Sequence, residues 1–425
     1  MNPHTLLRAP LCLCVIFLSA LTSLAAGAEL GAMRTLTVAE CLRRVAEQSP
    51  ELKSGMYKTE ALERRAKQAA RPVNPRLETE IENAAGSGAN EGLTAAETTV
   101  SFSQEIELGR KRRYRTALAD LETAASRVEQ RVRLSALLYD ARCAVLTVLA
   151  AQEKTRLAVE ALALARETES VAEVLEQAGK ATALETERAR AETSKAEMTL
   201  EDRKAEQRDA VRDLAQCWGE TEPSFDAVDG PFDEEPSPRL PLDELLVRAA
   251  SGPEWLSAEA QLRAFEARVD VERAARVPNL TLSAGVRRFE EGDDFGFVAG
   301  AGIDLPIYTR NGDGVRAAEA DAEAVRLETV AVRLKREGRI RQLAARMDTL
   351  AAKKTRLKAT VIPIAEHALS LVREAHKQGK AGYLDVLEAR RTLVAERLQN
   401  IETATDYRRL DIELGRLTNT LSDPL

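Results

Sequence analysis

The sequence predicts a mainly α-helical chain with a small β part, built as two tandem repeats. Each repeat is a long antiparallel coiled-coil helical hairpin that carries one β-hairpin. Three observations lead there. Of 425 residues, 30% are charged and only 4% aromatic, a composition of long packed helices. Motifs recur about 200 positions apart: Pro50-Glu51 as Pro253-Glu254, Asn74-Pro75 as Val277-Pro278, Ile106-Glu107-Leu108 as Ile303-Asp304-Leu305, and Gly179 as Gly379. Residues 110–177 contain neither proline nor glycine, so at 1.5 Å per residue a helix there runs about 100 Å.

The N-terminus comes first. Arg8, the apolar run LCLCVIFLSAL and Ala26-Gly27-Ala28 read as a secretory signal peptide over residues 1–28. Cys12 and Cys14 leave with it; Cys41, Cys143 and Cys217 are too scattered for a disulfide framework. No apolar stretch of 18 or more residues follows, so the sequence offers no transmembrane helix, and an exported chain that enters a membrane must do so as strands. The first repeat is expected over 29–218 and the second over 241–425, with the Pro-, Gly- and acid-rich stretch 219–240 as linker.

Strands are expected at about 76–83 and 98–106 in the first repeat, and at about 279–288 and 295–305 in the second. Each alternates apolar with polar residues, and a Gly-rich or acidic loop joins each pair. Leu77, Thr79 and Ile81 fall on one face, Glu78, Glu80 and Glu82 on the other; Val100, Phe102 and Ile106 oppose Ser101, Ser103 and Glu105. Strands of this length and alternation suit a membrane barrel. Glu78, Glu80, Glu82, Glu105 and Asp304 would then line its lumen and favour cations. A barrel closes with about eight strands or more, whereas this chain supplies four, so an obligate oligomer is expected.

The helical hairpins are placed at 110–217 and 313–421. Apolar residues step 3-4-3-4 through Leu118, Leu121, Ala125, Val128 and Val132, while Leu343, Leu350, Leu357 and Ile364 fall seven apart: coiled-coil spacing. Pro363 should bend or break its helix. Gly-Lys-Ala at 179–181 and again at 379–381 interrupts helix-forming sequence; glycine supplies the left-handed residue of a C-cap, so tips are expected near 178–181 and 378–382.

Other chemistries are excluded. A net charge of −7 with no stretch that concentrates a basic surface argues against nucleic acid. His367 and His376 stand nine apart, not the i, i+4 of helical metal ligands, so no metal site and no cofactor are expected. Neither a catalytic triad nor a phosphate-binding loop is present; the chain does not read as an enzyme.

Taken together, these residues resemble the TolC family of outer-membrane efflux channels across the mature chain. The strongest match is IPIAEHALSLVREAHKQGKAGYLDVLEARRTLVAERLQ, which is similar to that family's second helical tip; LPIYTRNGDG resembles its strand-to-helix passage. NPRLETEIEN and QEIELGRKRR resemble the heavy-metal branch, although Arg110 stands where that branch usually has a second glycine. The resemblance implies a homotrimer with a twelve-stranded barrel in outer-membrane lipid and a helical barrel in the periplasm. It also implies a periplasmic adaptor and an inner-membrane RND-type pump as partners, docking at tips that carry Gly179, Lys180, Gly379 and Lys380. Carried onto this sequence, the family's periplasmic constriction falls on Asp385 and Glu388, the latter where the family usually has a second aspartate. No lipidated N-terminal cysteine is expected. The implied function is a passive exit duct, with heavy-metal cations as the first substrate class. The alternatives are the same duct for drugs or small organics, and a secreted coiled-coil adaptor or scaffold.

Overall fold

The computed structural model describes residues 34–234, 239–250 and 252–419; the expected signal peptide lies outside them. In chain order the elements are β1 (Thr35–Thr37), α1 (Val38–Gln48), α2 (Pro50–Ala69), β2 (Arg76–Glu82), β3 (Glu97–Ile106), α3 (Lys111–Gln177) and α4 (Ala183–Gln216). There follow β4 (Ala227–Asp229), α5 (Leu242–Ala249), α6 (Pro253–Ala275), β5 (Leu280–Phe289), β6 (Asp294–Ile303), α7 (Gly312–Arg356), α8 (Ile362–Lys377) and α9 (Tyr383–Thr418). Local chemistry sets many ends. Thr37 accepts the Glu40 N–H at 3.2 Å, and Pro50 and Pro253 open their helices, where a missing N–H costs nothing.

The four long strands form one antiparallel sheet in the order β2-β3-β5-β6. The β3–β5 pairing, with Val100 opposite Val286 and Glu105 opposite Thr281, joins the two repeats. Residues directly across share a face. One face therefore carries Leu77, Ile81, Val100, Phe102, Ile106, Leu282, Val286, Phe297 and Ile303, and these large apolar side chains are exposed. A continuous apolar sheet face open to the outside calls for lipid or a partner. Ten residues at about 3.3 Å each, tilted by about 40°, span roughly 25 Å, the height of a barrel's apolar band. Strands β2 and β6 are both unpaired edges.

The main core lies midway along the helices. Val45, Cys41, Val148, Leu214, Trp218 and Ala404 meet there, and a second cluster packs Leu245, Ile340, Leu343, Met347 and Leu414. The 219–240 stretch contributes to that core instead of running free. Its β4 pairs in parallel with β1, Phe225, Val228 and Phe232 are buried, and Val228 exchanges two hydrogen bonds with the Gln152 amide at 2.9 and 3.0 Å. Residues 235–238 lie outside the described set.

Two helical expectations need correction. A window within α3 is long and apolar enough to cross a membrane, against the reading that no such helix exists. That part of α3 instead supplies Ala141, Val145, Leu146, Val148 and Leu149 to the core. The second correction concerns Ile364, which is exposed instead of seated in the heptad seam. Residues Leu357–Val361 form a π-turn, with the Ile362 N–H donating to the Leu357 carbonyl, just ahead of Pro363. Proline cannot donate to the preceding turn and its ring crowds it, and the wider turn relieves both. It also inserts one residue into the phase, so that Ala365 and Leu369, not Ile364, follow Leu357 into the seam. In α3, meanwhile, the stripe Leu118, Leu121, Ala125, Val128 and Val132 is only half-buried within one chain. The fully buried positions there are Thr123 and Ser126, the latter hydrogen-bonded to Thr59 at 2.8 Å.

Candidate functional site: the helical tips and the barrel lumen

Both glycine turns have the same backbone solution. Gly179 sits at φ +70° and Gly379 at φ +73°, the left-handed region. Lys180 N–H donates to Leu175 O at 2.8 Å and Gly179 N–H to Glu176 O at 2.9 Å; Lys380 N–H donates to Ala375 O and Gly379 N–H to His376 O, both at 2.8 Å. These are paired Schellman closures. The following helices start differently. Thr182 and Glu185 cap α4 reciprocally, whereas at α9 only the Asp385 carboxylate acts, accepting the Gly382 N–H at 3.0 Å. Lys180 and Lys380 make no ion pair among the described residues, although Lys380 Nζ donates to Gln378 Oε1 at 2.8 Å.

Asp385 and Glu388 lie one turn apart on the exposed face of α9, while Tyr383, Val386 and Arg390 occupy the buried face. Neither acid forms an ion pair among the described residues. Nearby Glu192, by contrast, receives both Arg390, at 3.2 Å, and Arg391. Burial lowers the pKa of Arg390, although Glu192 lies beside it. Tyr383, 1% exposed, packs with Ala172 and Ala189 and so ties the two tips together; its counterpart in the first repeat is Ala183. The tip acids thus stand on a helix whose opposite face is well packed, Asp385 capping its start and neither acid ion-paired among the described residues.

At the other end, the sheet's polar face gathers Glu78, Glu80, Glu82 and Glu105 with Glu97, Thr99, Ser101 and Ser103. Asp304 follows β6 with matching parity but lies just beyond the strand. The sequence reading missed two cations on this face. Arg287 contacts Glu82 at 2.9 Å and Glu97 at 2.7 Å and donates to Thr99 Oγ1 at 2.9 Å; Arg76 pairs with Glu78 at 3.1 Å. Asn279 donates to Glu105. The alternation of β5 places Arg287 on the polar face, a signal available in the sequence, but its partners come from two other strands. His367 and His376 do not converge: His367 is exposed, while His376 is buried and its Nδ1 lies 3.0 Å from the Ala381 carbonyl. No cluster that could hold a metal ion is present among the described residues.

The model of the outer membrane efflux protein family matches residues 41–220 and again 248–420, one match for each repeat. The chain belongs to the outer membrane efflux protein family. Within it, the cobalt-zinc-cadmium resistance protein CzcC of Cupriavidus metallidurans is 30% identical over 369 residues, covering 86% of this chain and 85% of that one. The nickel and cobalt resistance protein CnrC of the same organism is 30% identical over 66% of each chain. Among solved structures, CusC superposes with a TM-score of 0.75 over 90% of this chain and 91% of its own at 18% identity. VceC from Vibrio cholerae gives 0.74 over 90% and 95% at 19%. These efflux proteins are passive channels of the outer membrane with a helical barrel in the periplasm, so the chain is not an enzyme.

Proposed function

We propose that this efflux protein is the exit duct of a tripartite system that expels heavy-metal cations. Three chains close their four-stranded sheets into one barrel, β2 of one copy against β6 of the next, and their helices continue the duct into the periplasm. An inner-membrane RND-type pump and a periplasmic adaptor meet it at the tips, where Gly179, Lys180, Gly379 and Lys380 stand exposed. The observation that carries the duct is the four-stranded sheet with an exposed apolar face and two open edges: the face calls for lipid instead of water, and the edges cannot lie in lipid until copies join. Supporting the cation cargo are the names of the metal-resistance relatives over most of the chain. The match to the pyoverdine export protein OpmQ spans only 46% of it.

In this reading Asp385 and Glu388 form the constriction. Three copies gather six uncompensated carboxylates around one axis, which concentrates cations and repels anions. Of the lumen acids, Glu80 and Glu105, with Asp304, extend the same field outward, whereas Arg76 and Arg287 balance Glu78 and Glu82. Single-channel recording in planar bilayers tests it: D385N/E388Q should weaken block by Co²⁺ at least tenfold and lower cation-over-anion selectivity. Unchanged block and selectivity would remove both residues from the constriction. Loss of cobalt and zinc tolerance on gene deletion, with drug tolerance unchanged, tests the cargo; the reverse pattern would favour small organics.

A further inference from the structure

Helix α3 begins against its own dipole. A helix N-terminus favours acids, yet its first turn contains none and opens on Arg110-Lys111-Arg112-Arg113. The corresponding start of α7 carries Asp313. Arg110 also adopts a left-handed φ of +61°, a strained conformation for any residue with a Cβ. This run is a concentrated basic segment, a correction to the reading that none exists. Partners within the chain account for only part of it. Lys111 Nζ donates to Asn279 Oδ1 at 2.7 Å, and Arg115, just beyond, pairs with Glu107. Arg110, Arg112 and Arg113 are exposed and have no ion pair among the described residues. They border an open cavity of about 650 Å³ whose other walls include Val73, Ile106, Glu105 and Glu107, with Asp120 about two to three turns further along α3. Glu105 accepts from Asn279 and Glu107 pairs with Arg115, so neither carboxylate engages the three arginines.

Position supplies the partner. The cations follow directly on β3, whose Phe102 and Ile106 belong to the apolar outer face, so they stand where the hydrocarbon ends and headgroups begin. Arginine side chains there fit a phosphate bidentately, and the apolar wall of the cavity fits the glycerol end of an acyl chain. We propose that Arg110, Arg112 and Arg113 bind anionic phospholipid headgroups of the periplasm-facing leaflet and set the depth of the barrel; the proposal rests on the membrane placement of the four strands.

Calorimetric titration of the detergent-solubilised, full-chain trimer tests it, with dioctanoyl-phosphatidylglycerol, dioctanoyl-phosphatidylcholine and inorganic phosphate as probes. Each cation near an anionic surface is worth about fivefold in affinity, so R112Q/R113Q should weaken phosphatidylglycerol binding by about 25-fold. R112K/R113K should retain most of it. Phosphatidylcholine should bind the wild type at least tenfold more weakly than phosphatidylglycerol. Equal phosphatidylglycerol affinity in wild type and R112Q/R113Q, or no preference over phosphatidylcholine in the wild type, overturns the proposal. Inorganic phosphate binding as tightly as the lipid would overturn the lipid assignment. Failure of the membrane placement shows separately, as wild-type protein that remains soluble and monodisperse without detergent.

Discussion

Asp233 closes the strap that carries β4, and removing its carboxylate should loosen that strap without unfolding the helices. Lys354 Nζ lies 2.9 Å and Lys358 Nζ 2.7 Å from the carboxylate, and Asn400 Nδ2 donates to it at 3.3 Å. Lys354 is almost fully buried, with 3% of its side chain exposed against 30% for Asp233. Breaking a buried pair by deleting one partner costs about 3–5 kcal/mol. Lys354 keeps its hydrogen bond to the Glu234 carbonyl, and Asp233 is partly solvated, so about 2–3 kcal/mol is the better expectation for D233A. If the strap opens as a unit, hydrogen exchange at Val228 should accelerate about 30- to 160-fold. Exchange in the outer half of α3 should not change. The double variant D233A/K354M removes both charges and should recover most of the protection. Acceleration below threefold in D233A, or a double variant no better than D233A, would refute the buried pair as the source of strap stability. The pH dependence has a definite sign. Burial raises the Asp233 pKa, but the hydrogen bonds and charges of Lys358 and Lys354 outweigh it and hold it below the ordinary value. The pair's stabilisation is therefore complete above about pH 4 and is lost only as pH falls below that.

Other perturbations separate lumen, tip and core. R287Q should release Glu82 and Glu97 and raise the cation selectivity of the reconstituted channel; an unchanged reversal potential would place that cluster off the conduction path. G179A and G379A meet open space, so each should cost only the left-handed backbone penalty of about 1 kcal/mol, read as roughly fivefold faster exchange confined to its own tip. Burial pushes the Cys41 thiol up to about 11, so iodoacetamide at pH 8 should leave Cys41 unmodified until the protein is denatured; rapid labelling of the folded trimer would contradict that packing.

The sequence by itself determined the duplicated plan, the alternation of the four strands and the glycine turns. Each rests on a short-range rule: a period of two along a strand, an uninterrupted helix, and the need for a left-handed residue where a helix reverses. The acidic residues of the polar sheet face were legible for the same reason, since parity along β2 and β3 places Glu78, Glu80, Glu82 and Glu105 together. Tertiary structure decided what depends on residues far apart in the chain. The pairing of β3 with β5 made one sheet of two hairpins, and only then could Arg287 reach Glu97 and Glu82. The apparent linker became a packed strap because β1, nearly two hundred residues earlier, offered an edge to β4 and Lys354 an ammonium to Asp233. The heptad reading failed at Ile364 because a π-turn shifts phase by one residue, and no apolar period records a turn whose cause is the backbone demand of Pro363. Local periodicity writes the elements; their partners are chosen by packing over distances that periodicity does not encode.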